Sequence, residues 1–108
     1  MLVIAVWGIA WVFTGWRWTA PRPALVNVAI AQAAIDQDRK WLPEQYQPTL
    51  DAYRELSMRT KGRDIIVWPE VAVPNLYEYA REYLQFVQQE VAVEGATLVT
   101  GILQRQSD

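Results

Sequence analysis

The sequence predicts an α/β fold in which strand, helix, strand, helix and strand follow an apolar leader that reads as the end of a transmembrane helix. Three observations predict it. Short, continuously apolar runs at "LVNVAIAQ" (Leu25–Gln32), "DIIVW" (Asp64–Trp68) and "ATLVTGIL" (Ala96–Leu103) have the length and β-branched content of buried strands. Between them lie two stretches whose apolar residues recur at spacings of three and four, the period of a helix face. Ahead of all five stands "MLVIAVWGIAWVFTGW" (Met1–Trp16), which has no charge and carries Trp7, Trp11 and Trp16, a composition suited to lipid and its interface.

The leader comes first in the chain. A full span needs roughly 20 apolar residues, so residues 1–18 are read as the C-terminal part of a membrane helix rather than a complete one. A cleaved secretory signal is the rival, but no basic region precedes the apolar run and no small-x-small site follows it. A buried soluble helix ranks third. Arg17, Trp18 and Arg22 flank the exit, and taken alone the arginines point this end towards the cytoplasm. The prolines of "RWTAPRPA" (Arg17–Ala24) block helix formation and make residues 19–24 a linker to the domain beginning at Leu25.

After the first strand, "AAIDQDRKW" (Ala33–Trp41) breaks the pattern and reads as a loop. From Pro43 to about Thr60 a helix face is formed by Tyr46, Leu50, Tyr53 and Leu56. Pro48 complicates its start, since a proline is tolerated at the first helical position but not inside. "KGR" (Lys61–Arg63) supplies a basic, glycine-containing stop. The second strand is expected to end at Trp68, because Pro69 cannot donate the next ladder hydrogen bond. Asn75 followed by Glu78 matches a capping pattern, and Leu76, Ala80, Tyr83, Val87 and Val91 give the second helix one apolar stripe, stopped by Gly95. This order favours parallel pairing, and three strands leave edges for more chain to cover.

Composition narrows the chemistry. A net charge of -2 over 108 residues gives no basic footprint for nucleic acid. With no cysteine and no histidine there is no disulfide framework, no ordinary zinc site and no Ser-His or Cys-His pair, so carboxylates, lysines and tyrosines carry whatever chemistry the chain performs. Glu70 stands out. In parallel α/β sheets ligands bind beyond the carboxyl ends of strands, and Glu70 follows such an end in a setting expected to be semi-buried and suited to proton transfer. By spacing alone a solvated or turn-fixing glutamate is the ordinary reading, since one carboxylate is not a constellation.

Its neighbours shift that balance. "VWPEVAVP" (Val67–Pro74) resembles the segment around the catalytic glutamate of the nitrilase (carbon-nitrogen hydrolase) superfamily, and tryptophan before Pro-Glu is most similar to the bacterial apolipoprotein N-acyltransferases. "VAIAQAAIDQDRKW" (Val28–Trp41) resembles the first strand and following loop of that family, and "GATLVTGIL" (Gly95–Leu103) its third strand. The resemblance implies a partial nitrilase-like αββα sandwich, its βαβαβ portion, over residues 25–108. It departs in one loop. Where the family commonly has Gln-Gly-Asn then Ile-Pro-Gln, this chain has Gln32, Ala33, Ala34, Ile35, Asp36 and Gln37, and alanine is expected to avoid the positive φ that glycine tolerates.

What the resemblance implies is an acyl transfer in which a glutamate acts as general base, a lysine stabilises the oxyanion and a cysteine is the nucleophile. Only Glu70 maps; neither Lys40 nor Lys61 falls in the family's lysine motif, so the chain reads as an N-terminal fragment of the catalytic domain, inactive by itself. Lys40 and Trp41 would lie at the substrate entrance, although Trp41 fits equally well as a hydrophobic staple ahead of the first helix. Tyr77 and Tyr79 are expected to be partial core, ahead of the alternative that they line a membrane-facing surface, and are not taken as site residues. The implied partners are a phospholipid acyl donor, an apolipoprotein acceptor and the membrane, with no nucleic acid, metal or organic cofactor. The implied location is the bacterial inner membrane, with the catalytic domain on its periplasmic side. The alternatives are a fragment of an amidase or nitrilase, or a non-catalytic membrane-tethered α/β module.

Overall fold

A computed structural model describes residues 1–60 and 62–105; Lys61, where the basic helix stop begins, and residues 106–108 of the polar tail lie outside the described residues. The elements are α1 (Leu2–Thr14), β1 (Val28–Ile30), α2 (Gln37–Lys40), α3 (Pro43–Arg59), β2 (Ile65–Glu70), α4 (Tyr77–Ala92) and β3 (Thr97–Gly101). The strands form one parallel sheet in the order β1-β2-β3, so the α/β class and parallel pairing match the prediction.

The two amphipathic helices cover one face of this sheet. Leu50 and Tyr53 of α3 and Ala80, Val87 and Val91 of α4 pack with Ile66 and Trp68 of β2 into a single core. The stripes read from the sequence are thus the buried ones. Arg54 and Glu90 join α3 to α4 through paired hydrogen bonds, and the Arg54 guanidinium lies 5.3 Å from the centre of the Phe86 ring. Gly95 ends the second helix as expected, with φ +82 and its N–H bonded to Ala92 O.

Several boundaries differ from expectation. β1 covers Val28–Ile30 rather than Leu25–Gln32, and the strands are not buried on both faces: Val28, Ile30 and Val99 are exposed while Ile66 and Trp68 are buried. The cause is that β1 is an edge, paired only with β2, and no described element covers the second face of the sheet. Its start is set by partners far along the chain, since Asp64 accepts the Asn27 N–H through its carboxylate and Asn27 O accepts the Asp64 N–H. The expected loop contains the short α2. Helix α3 begins at Pro43 and runs through Pro48, with the Thr49 hydroxyl bonded to Gln45 O just beyond the proline. The capping pair at α4 does not form: Asn75 Oδ1 takes the Leu76 N–H, and the Tyr77 N–H goes to Leu103 O.

Helix α1 holds 13 residues, about 20 Å at the usual rise per residue. It ends at Thr14, short of residue 18, where the Thr14 hydroxyl turns back onto Trp11 O. No helix among the described residues is long and apolar enough to cross a membrane. The transmembrane expectation therefore has no spanning helix behind it. At the end of α1 and just after it, Phe13, Trp16 and Trp18 stack on one another with centroids 5.6–5.9 Å apart, an exposed aromatic group ahead of the linker.

Candidate active site at the end of the central strand

Pro69 does not end the central strand. The ladder between β2 and β3 shifts register between Val67 and Glu70, so the residue that lacks an N–H falls in the irregularity, and pairing resumes with Glu70 opposite Gly101. Val71 then donates its N–H to Gly101 O at 3.2 Å, and Ala72 closes a turn onto Pro69 O. Val71 sits at φ 54, a left-handed conformation that a β-branched residue adopts only under constraint. Glu70 is thus delivered at the carboxyl end of the central strand, as the sequence predicts.

Trp68 anchors that end. It is 2% exposed and packs between the helices, with ring centroids 5.1 Å from Tyr53 and 6.4 Å from Tyr83. Its indole N–H donates to Ser57 Oγ at 2.9 Å, and the Ser57 hydroxyl donates in turn to Tyr53 O. The Tyr83 hydroxyl donates to Leu50 O, tying α4 to α3 across the same ring. Burial pushes both phenols above their ordinary range. For Tyr53 a hydrogen bond with the Ala33 backbone opposes that push; for Tyr83 the Asp51 carboxylate adds to it. Both therefore remain neutral donors at physiological pH.

Glu70 and Lys40 line one cleft of about 180 Å³, together with Gln32, Ala34, Tyr53 and Pro69. Lys40 also lines a neighbouring cleft of about 290 Å³, where it meets Trp41, Tyr46 and Pro74. The predicted site residues thus come together in two adjoining clefts that share Lys40. Trp41 and Tyr46 share a cleft wall at the positions a hydrophobic staple uses, yet Trp41 stays 57% exposed and leaves surface for a ligand. Contrary to the semi-buried expectation, Glu70 is exposed, on the rim of a cleft it shares with the segment Gln32–Lys40 and Tyr53. No hydrogen bond or ion pair among the described residues engages its carboxylate. Tyr77 and Tyr79 are likewise exposed rather than partial core, because Ala80, Tyr83 and Val87 take the inward positions of α4.

The loop that departs from the resembled family also behaves differently from expectation. Ala34 adopts φ 49 despite its Cβ, a left-handed conformation that alanine was expected to avoid. Chemically the cleft offers a solvent-accessible proton acceptor and a cation on one rim. It holds no nucleophile of the thiol or imidazole kind, since the chain contains neither residue.

No protein-family model matches the sequence. Curated proteins do: an apolipoprotein N-acyltransferase of Azotobacter vinelandii is 39% identical over 94% of this chain and 20% of its own length. Counterparts of the same name from Pseudomonas syringae pv. tomato, at 37% over 98% of this chain and 21% of theirs, and Photobacterium profundum, at 32% over 100% and 21%, agree. The chain matches one segment of the apolipoprotein N-acyltransferases. It spans about one fifth of the length of these curated relatives. The resemblance first carried by "VWPEVAVP" therefore extends along nearly the whole chain.

Sequence reasoning missed three residues of this segment. Ser57 falls in step with Tyr46, Leu50 and Tyr53, so a polar residue on an apolar stripe was the signal for its buried hydrogen bonds. Tyr53 was legible as core but not as a cleft wall. Gly101 was legible only as a glycine within a strand, which marks a close approach without saying to what.

Proposed function

We propose that this chain is the part of a membrane-bound apolipoprotein N-acyltransferase that holds the end of a transmembrane helix (residues 1–18), a linker (19–24) and the first portion of a nitrilase-like αββα domain (25–108). Glu70 is its general base. One observation carries the reading: the glutamate of the Trp-Pro-Glu motif stands at the carboxyl end of the central parallel strand, beside a cleft, in a chain that matches these acyltransferases from end to end. The open apolar face of the sheet supports a sandwich, since a second layer would bury Val28, Ile30 and Val99.

The nucleophilic cysteine and the oxyanion-stabilising lysine come from the remainder of the enzyme, because this segment has no cysteine and neither Lys40 nor Lys61 matches the family's lysine motif. Glu70 takes the thiol proton, and the thiolate sulfur attacks the ester carbonyl carbon of a phospholipid. When the tetrahedral adduct collapses, the lysophospholipid oxygen leaves with the proton held by Glu70, and the acyl group remains as a thioester. The amine of the acceptor's diacylglyceryl-cysteine then attacks the thioester carbon and loses its proton to Glu70. Sulfur departs and is reprotonated. Lys40 and Trp41 flank the entrance, where a cation suits a headgroup and an aromatic suits an acyl chain. The domain lies on the periplasmic side of the bacterial inner membrane.

The test is a substrate comparison with the natural full-length polypeptide. Transfer of a labelled acyl chain from phospholipid to a diacylglyceryl-cysteinyl peptide, with no turnover of small amides or nitriles, is the expected result. Hydrolysis of the small nitrogenous substrates instead would move the assignment to an amidase or nitrilase. Activity towards neither leaves the non-catalytic module.

A further inference from the structure

We infer that Gly101 is a positioning residue for Glu70, present so that β3 can approach the base closely and fix the direction of its side chain; the inference rests on reading Glu70 as the general base. Glycine is not needed here for its backbone, because among the described glycines only Gly62 and Gly95 have positive φ. Space is what Gly101 provides. A Cβ at this position would lie 3.3 Å from Glu70 Cγ, 3.4 Å from Glu70 Cα and 3.7 Å from Glu70 Cβ, so its three nearest heavy atoms outside the adjoining residues all belong to Glu70. The contact occurs where the ladder resumes after its irregularity, Glu70 opposite Gly101, and where the Val71 N–H bonds to Gly101 O. Val71, held at φ 54, fixes the chain immediately beyond the base, so the backbone of Glu70 is held between its pairing with Gly101 and a constrained turn. An added methyl group must push the Glu70 stem aside by a few tenths of an ångström, or bend β3 away from it.

Two double-mutant cycles in the natural full-length polypeptide separate the contact from its catalytic consequence. In single-turnover acyl-enzyme formation, Gly101→Ala is expected to slow the reaction about tenfold to a hundredfold with KM for the phospholipid changed less than about twofold. In a Glu70→Gln background the same substitution is expected to change the residual rate by less than about twofold, because the group it displaces no longer accepts the proton. In thermal melting, the cost of Gly101→Ala is expected to shrink when Glu70→Ala removes the Cγ. A wild-type rate for Gly101→Ala, or an equal fold loss in both activity backgrounds, overturns the positioning role. An unchanged melting cost with and without the Cγ overturns the contact. If Glu70→Gln itself reacts at the wild-type rate, the general-base reading fails and the positioning role fails with it, while the melting cycle still reports whether the contact exists.

Discussion

At the scale of single residues, the segment concentrates backbone strain around the cleft. Ala34 and Val71 are its non-glycine residues with positive φ among those described; Ala34 lines the cleft with Glu70, and Val71 lies in the turn that follows it. The left-handed region costs an ordinary residue roughly 1–2 kcal/mol. Glycine removes that cost but raises the entropy of the unfolded chain, so Ala34→Gly is expected to stabilise the protein by about 0.5–1 kcal/mol in urea unfolding, and Ala34→Asn by a similar amount. A loss of stability in both variants would show that the loop is not held in this conformation. The place of Glu70 at the carboxyl end of a strand was legible from the apolar run before it, although Pro69, expected to end that strand at Trp68, lies inside it; its role was suggested only by the resemblance. Ala34 was not legible, because nothing local announces an alanine forced into a conformation that it disfavours. Gly101 depends on a register shift formed between residues some thirty positions apart, about which the sequence of β3 alone says nothing.

Among the elements, the helices were the most legible part of the fold and the strand ends the least. A stripe of apolar residues is a local property, whereas the end of a strand depends on what pairs with it. Asp64 and Asn27 set the start of β1, and the irregularity at Pro69 lets β2 reach Glu70. Trp68 is the joint between the helices and this strand. Trp68→Phe keeps most of the ring but leaves Ser57 Oγ without its donor, and is expected to destabilise the protein by about 1–2 kcal/mol in urea unfolding. Ser57→Ala combined with Trp68→Phe should cost less than the sum of the two alone. The α3–α4 contact also carries a pH dependence. Tyr83 has a folded pKa raised above its unfolded value of 10.0, so the neutral phenol's contribution is present in full below about pH 10 and is lost as the pH rises through the folded value. Melting temperature followed from pH 8 to about 11 should fall more steeply for the natural sequence than for Tyr83→Phe. Parallel slopes would mean that Tyr83 does not gain its proton affinity on folding.

For the whole molecule, two large apolar surfaces are uncovered: the second face of the sheet and the helix α1, which carries no charged side chain. The first accords with a further layer of an αββα sandwich and the second with lipid. The exposed rings of Trp7, Trp11, Trp16 and Trp18 make the second testable, since phosphatidylcholine vesicles with brominated acyl chains should quench their fluorescence to a similar extent at low and high salt. Quenching that vanishes at about 0.5 M salt would assign the contact to Arg17 and Arg22 instead of to the apolar helix. On the proposed reading, Glu70 accepts the proton in an acyl transfer completed by groups elsewhere in the full-length polypeptide. Release of lysophospholipid in the first turnover of the full-length polypeptide measures it directly. A burst of about one lysophospholipid per enzyme, slowed at least a hundredfold by Glu70→Gln with the melting temperature kept within about 2 °C, is the expected result. A Glu70→Gln enzyme that gives the burst at the natural rate would contradict it.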